Sequence, residues 1–140
     1  MITSSDLEHV VALARQWIQA LVEGRFEWME RYLAGDFLFT SHLIPGKPIA
    51  KKPFIEAVRG TQKARIDVLS CQAEPAGNII ILRTLLYVEE QFTSDLGPEM
   101  PTPQEITALL SGHKLAYVSG YRRVGSEWQC FDHHQIGQID

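Results

Sequence analysis

Apolar residues recur at helical spacing early in the chain. Leu7, Val10, Val11, Ala14, Trp17, Ile18 and Leu21 fall on one stripe and predict an amphipathic helix over residues 5–22. Ser5 and Glu8 form a capping-box pattern ahead of it, and Gly24 ends it. A shorter helix is predicted over residues 25–33, with Phe26, Met29 and Leu33 inward and Gly35 as its stop. Residues 36–41 read as a short strand and Pro45-Gly46-Lys47-Pro48 as a loop. Pro53 suits the first turn of a third helix that carries Phe54, Ala57 and Val58 and closes at Gly60.

Beyond that point the pattern becomes strand-like. Residues 65–73 predict a strand, and Pro75-Ala76-Gly77-Asn78 a turn. Residues 78–91 predict a long strand rich in Ile, Leu, Tyr and Val, apolar on both faces from Asn78 to Val88, as in a central strand buried on both sides. An insert over residues 92–112 holds Pro98, Pro101 and Pro103, a second capping box from Thr102 to Glu105, and a short helix ended by Gly112. A long ordered insert of this kind reads as a lid or rim. A hairpin over residues 113–138 closes the chain. Helices first and an antiparallel sheet after them give an α+β fold, with a cavity between the long helix and the curved sheet.

The 140 residues fit one domain, 1–140, with a real core, and 45% hydrophobic content is normal for a globular chain. A net charge of −4 without a basic stripe argues against nucleic-acid binding. The start lacks a basic segment followed by a long apolar run, so no signal peptide is expected, and no apolar stretch is long enough to span a membrane. Cys71 and Cys130 read as reduced thiols of a cytoplasmic protein. No Gly-rich phosphate loop and no paired metal-ligand spacing occur, so no cofactor and no metal are expected.

The hairpin carries the candidate chemistry. If Gly125-Ser126 is its turn, Arg123 opposes Trp128, Tyr121 opposes Cys130, Ser119 faces Asp132 and Tyr117 faces His134. One face then gathers Leu115, Tyr121, Trp128, Cys130 and Ile136 around a polar trio of Tyr117, Asp132 and His134, which suits a small-molecule pocket. This placement depends on register, because a one-residue slip inverts every side chain.

The element order, the run Tyr32-Leu-Ala-Gly-Asp36-Phe into the first strand and the ending Gly125-Ser-Glu-Trp128-Gln-Cys-Phe-Asp-His-His134 resemble the nuclear-transport-factor-2-like superfamily. Within it they resemble the SnoaL-like and DUF4440-like small domains. The resemblance covers nearly the whole chain. It implies a cone-shaped, cystatin-like fold with N-terminal helices packed on a curved antiparallel sheet. It also implies a dimer through the outer sheet face, on which His133 is expected as an interface residue. Its members include isomerases, dehydratases, cyclases, epoxide hydrolases and non-catalytic assembly domains. Ketosteroid isomerases of this superfamily place a phenol where Trp17 stands and a carboxylate where Ser41-His42 stand, so their mechanism does not carry over.

His134 is the candidate acid or base, since imidazole titrates near neutral pH; the bland alternative is a structural histidine bonding a neighbouring strand. Asp132 either orients His134, binds substrate or pairs with an arginine. Tyr117 either donates to a carbonyl or is simply half-buried. Trp17, His42, Tyr121, Trp128 and Tyr87 are candidate ligand-binding residues, and each has an ordinary core or loop role as its alternative. The leading expectation is a homodimer binding a small apolar organic molecule, with lyase, isomerase or hydratase chemistry by proton transfer. The alternative is a non-catalytic dimeric binding or assembly domain.

Overall fold

The computed structural model describes residues 1–139. Helix α1 runs Ser4–Glu23 and α2 Glu27–Tyr32; β1 is Leu33–Ser41, β2 Ile49–Ala50, α3 Lys51–Arg59, β3 Thr61–Ala76 and β4 Ile79–Phe92. Helix α4 is Pro103–Leu110, and β5 His113–Val124 with β6 Glu127–Gln138 forms the last hairpin. The capping box of α1 is Thr3 with Asp6, upstream of the Ser5–Glu8 pattern, while Thr102 and Glu105 cap α4 as expected. Gly24 closes α1 with φ 75°, its N–H reaching Ala20 and Leu21 carbonyls. Helix α2 stops before Leu33, and Gly35 lies inside β1 rather than ending a helix. The reason is tertiary: Leu33 pairs with Cys130 of β6 and is 1% exposed, so ladder and burial override the local helical pattern.

The strands form one sheet in the order β2-β1-β6-β5-β4-β3. Every pairing is antiparallel except β1 with β6, which is parallel, so the sheet is mixed rather than wholly antiparallel. Helix α1 lies on β3, α4 on β4 and α3 on β1. The core between helices and sheet includes Val10, Met29, Phe37, Ile80, Leu82 and Leu115. Along β4 the even-numbered residues from Ile80 to Glu90 are buried under the helices, and the odd-numbered ones face the opposite side.

The last hairpin starts as its sequence predicts. Val124 opposes Glu127, Arg123 opposes Trp128 and Tyr121 opposes Cys130. The register then shifts, so that Gly120 opposes Asp132, Ser119 opposes His133 and Tyr117 opposes Gln135. The extra residue in β6 is Phe131. A side chain on Gly120 would lie 2.7 Å from Phe131 Cζ and 2.5 Å from Asp132 Oδ1, so both cover Gly120 on the outer face. The missing Cβ makes room for this bulge. A second shift between Ala116 and Tyr117 skips Ile136.

Candidate functional site

A cavity of about 150 Å³ lies between the helices and the concave face of the sheet. Trp17 and Ile18 of α1, Phe54 of α3 and Ile106 of α4 form much of its apolar wall. Leu43 and Leu96 contribute from connecting segments. Most of the lining is apolar, and the polar side chains fall into groups.

The first group stands on β1, β5 and β6. Ser41 Oγ donates to Gln135 Oε1 at 2.5 Å, and Gln135 Nε2 donates to Tyr117 Oη at 3.0 Å. Tyr117 therefore accepts from Gln135 and keeps its own proton to donate. His133 stacks on the Tyr117 ring, with centroids 4.9 Å apart and planes 4° apart. Ser119 Oγ and His133 Nδ1 are 2.6 Å apart, which occupies that ring nitrogen and leaves Nε2 for a guest. Trp17 meets the His133 ring edge-on at 6.5 Å, and Phe39 lies 5.7 Å away.

Burial sets the charge states here. It lowers the His133 pKa from 6.5 to about 3, helped by repulsion from neighbouring His134. The ring is thus neutral near pH 7. Burial also pushes the Tyr117 phenol upward; the Gln135 bond opposes this and the Glu90 charge adds to it. Deeper in the wall, Tyr32 and Tyr121 share a hydroxyl–hydroxyl bond, and burial raises both phenols well above their usual range. The second polar group, Lys63 with Glu90, is an ion pair on β3 and β4.

Of the residues proposed from sequence, Tyr117, Trp17 and Tyr121 line the cavity. Asp132 and His134 do not. The Phe131 bulge turns both to the outer face, where His134 Nε2 lies 3.0 Å from Asp132 Oδ2 and Nδ1 lies 2.6 Å from Thr40 Oγ1. The two are in contact with each other, one of the alternatives open for Asp132, but not with Tyr117, and His133 takes the inward place instead of an interface one. Tyr87 also faces outward, under the Arg65 guanidinium at 5.5 Å. His42 is exposed beyond the end of β1. Trp128 is buried at 6% exposure, away from the cavity, with Arg123 4.9 Å above its ring. Sequence reasoning missed His133, Gln135, Ser41, Lys63 and Glu90 as cavity residues, while Ser119 lies on the inward face where the hairpin register put it. The one local signal for the β6 residues was Gly120 in mid-strand, a mark of bulges.

Among the described residues no cluster of three or more His, Cys, Asp or Glu side chains is arranged to hold a metal. No helix among them is long and apolar enough to cross a membrane.

The architecture compares closely with solved structures. A protein from Cytophaga hutchinsonii described as NTF2-like superposes with a TM-score of 0.75, over 97% of this chain and 99% of that one, at 10% identity. The fold is NTF2-like. A candidate dehydratase of the NTF2-like family from Streptomyces avermitilis gives a TM-score of 0.71 at 13% identity, covering 97% of this chain and 98% of that one. A candidate Ca/calmodulin-dependent kinase II association domain from Exiguobacterium sibiricum gives 0.71 at 17% identity, over 100% and 98% of the two chains. No protein-family model and no curated protein matches the chain. At these identities the likeness concerns the NTF2-like fold, and function rests on the residues lining this cavity.

Proposed function

We propose that this chain binds a small, mostly apolar organic molecule bearing a carbonyl or hydroxyl, as a SnoaL-like member of the superfamily. We further propose that it moves a proton on that molecule, as a lyase, isomerase or hydratase does. The observation that carries this reading is the stacked Tyr117–His133 pair, whose free capacities converge on one apolar cavity. The Ser41–Gln135–Tyr117 chain leaves the phenol proton for the oxygen of a guest. His133 enters unprotonated, and in the tautomer whose Nδ1–H donates to Ser119 Oγ its Nε2 is the base. Negative charge developing on a guest beside it would raise its low proton affinity. The likeness to a candidate dehydratase supports the same reading. Asp132 and His134 have no part in it, because they lie on the other side of the sheet.

The test is hydrogen–deuterium exchange on the guest. Small ketones incubated with the protein in D₂O should gain deuterium beside the carbonyl, read by proton NMR. His133→Gln should abolish the gain, and Tyr117→Phe should slow it about 100-fold. A ketone that binds without exchanging would leave only the binding half. No binding by any small ketone would defeat both halves.

A second reading, assembly through the sheet, has its own support. The outer face presents Ile79, Ile81, Leu85 and Val118, with Leu38 at 45% and Ile136 at 56% exposure. Such a face suits a second copy of the chain, and a homodimer leaves the cavity on the opposite side free. The two readings are compatible, and only a protein without cavity binding would reduce to the second.

A further inference from the structure

We propose that the Lys63–Glu90 ion pair is a second polar pole of the cavity, so that its preferred guest carries oxygen functions at both ends of a small apolar body. This rests on the cavity reading above and specifies the guest it takes. Lys63 and Glu90 sit on β3 and β4, across the sheet from the Ser41–Gln135–Tyr117–His133 group on β1, β5 and β6. Leu86 and Val88 line the cavity as well, on the same inward row of β4 as Glu90. The charge on Glu90 is felt at the Tyr117 phenol, so the two poles lie within electrostatic reach.

The pair is expensive where it stands. Its side chains are 15% and 5% exposed, and desolvating two charges in an apolar wall commonly exceeds their mutual attraction. Apolar residues of similar size would hold this wall at least as well, so a purely structural role does not account for it. The hydrogen-bonding inventory points into the cavity. An ammonium has three donors and a carboxylate about four acceptor sites. The pair joins one Lys63 donor to Glu90 Oε2. Unused donors on Lys63 suit a guest's carbonyl or hydroxyl oxygen, and the unused Glu90 oxygen suits a hydroxyl proton. A free carboxylate on the guest would instead meet repulsion from Glu90. The guest class is therefore a neutral dioxygenated molecule, one function at Tyr117 and His133 and the other at Lys63 and Glu90. The cavity volume suits a body of about one six-membered ring.

Titration calorimetry with 4-hydroxycyclohexanone and cyclohexanone tests this directly. Wild type should bind the two-ended ring about tenfold tighter or more, the value of one hydrogen bond to a charged group. The double variant Lys63→Met, Glu90→Leu should lose the preference, its affinities for the two rings falling to a ratio of about one. Equal binding of both rings by wild type, or a preference that survives in the double variant, would overturn the second pole while leaving the cavity reading intact. Failure of wild type to bind either ring would overturn both. Should the variant not fold, wild-type NMR decides: cross-peaks between the hydroxyl-bearing ring position and the Lys63 side chain support the proposal, and their absence from a bound ring overturns it.

Discussion

His133 is neutral because of its surroundings, and this has a measurable consequence. It is packed by Tyr117 from β5, Trp17 from α1, Phe39 from β1 and Phe54 from α3, and burial there is the main cause of its lowered pKa. Its folded pKa, about 3, is below the ordinary 6.5. Between those values the unfolded chain holds a proton that the folded chain does not. The His133 contribution is therefore fully present above about pH 6.5 and is lost as pH falls toward 3. His133→Gln should flatten the wild-type decline between about pH 6.5 and 4.5 in urea unfolding. Below that window the lowered carboxyl groups of Asp6, Asp36, Glu105 and Glu127 take over. A variant whose stability falls in parallel with wild type would show that the ring is not held neutral. Trp128 gives a simpler expectation. It is buried and capped by Arg123, so Trp128→Ala should cost about 3–5 kcal/mol, and a melting point within a degree or two of wild type would contradict its anchoring role.

At the level of elements, the β5–β6 hairpin decides which imidazole reaches the cavity. The Phe131 bulge needs Gly120 bare, so Gly120→Ala should destabilise by about 1–3 kcal/mol by crowding Phe131 and Asp132. Chemical denaturation checks the cost. Unchanged stability would mean that the bulge does not depend on that glycine. The helices were readable because Val10, Ala14, Trp17 and Ile18 repeat at helical spacing. The first half of the hairpin was readable because Gly125-Ser126 fixes a tight turn. The inward set beyond Cys130 was not. Four successive residues, Phe131 to His134, carry no apolar alternation that would reveal a parity change. The Thr40–His134 contact and the parallel β1–β6 pairing span most of the chain, and no local pattern encodes either. The insert between β4 and β5 is pinned by Phe92 and Ser94, through Thr107 Oγ1 and the Ala57 carbonyl, and Leu96 lines the cavity. Residues 95–102 should exchange amide hydrogens faster than α4 and slow when a guest binds. Exchange indifferent to a bound guest would rule out a role as a lid.

For the whole molecule, the two faces of the sheet carry separate tasks. The concave face builds the cavity, and the outer face carries exposed apolar side chains such as Leu38 and Ile136, where the proposed dimer would form. Light scattering at micromolar concentration should give a dimer mass, and Val118→Glu should give a monomer with an intact fold by circular dichroism. A monomeric wild type would remove the dimer. Because the proposed guest and partner would use opposite faces, the Val118→Glu monomer should still bind small ketones.

The parallel pairing of β1 with β6 has a consequence during synthesis. β1 is made early, yet its sheet neighbour is the strand that emerges last among the described elements. On the ribosome, β3, β4 and β5 can zip together as each follows the last, while β1 has only the two-residue β2 as a partner. β1 and the α3 helix packed on it then lock in only when β6 arrives. The cavity is thus completed only when β6 joins β1 to β5, and a nascent chain stalled before β6 would expose β1 and the open edge of β5 to chaperones or to aggregation.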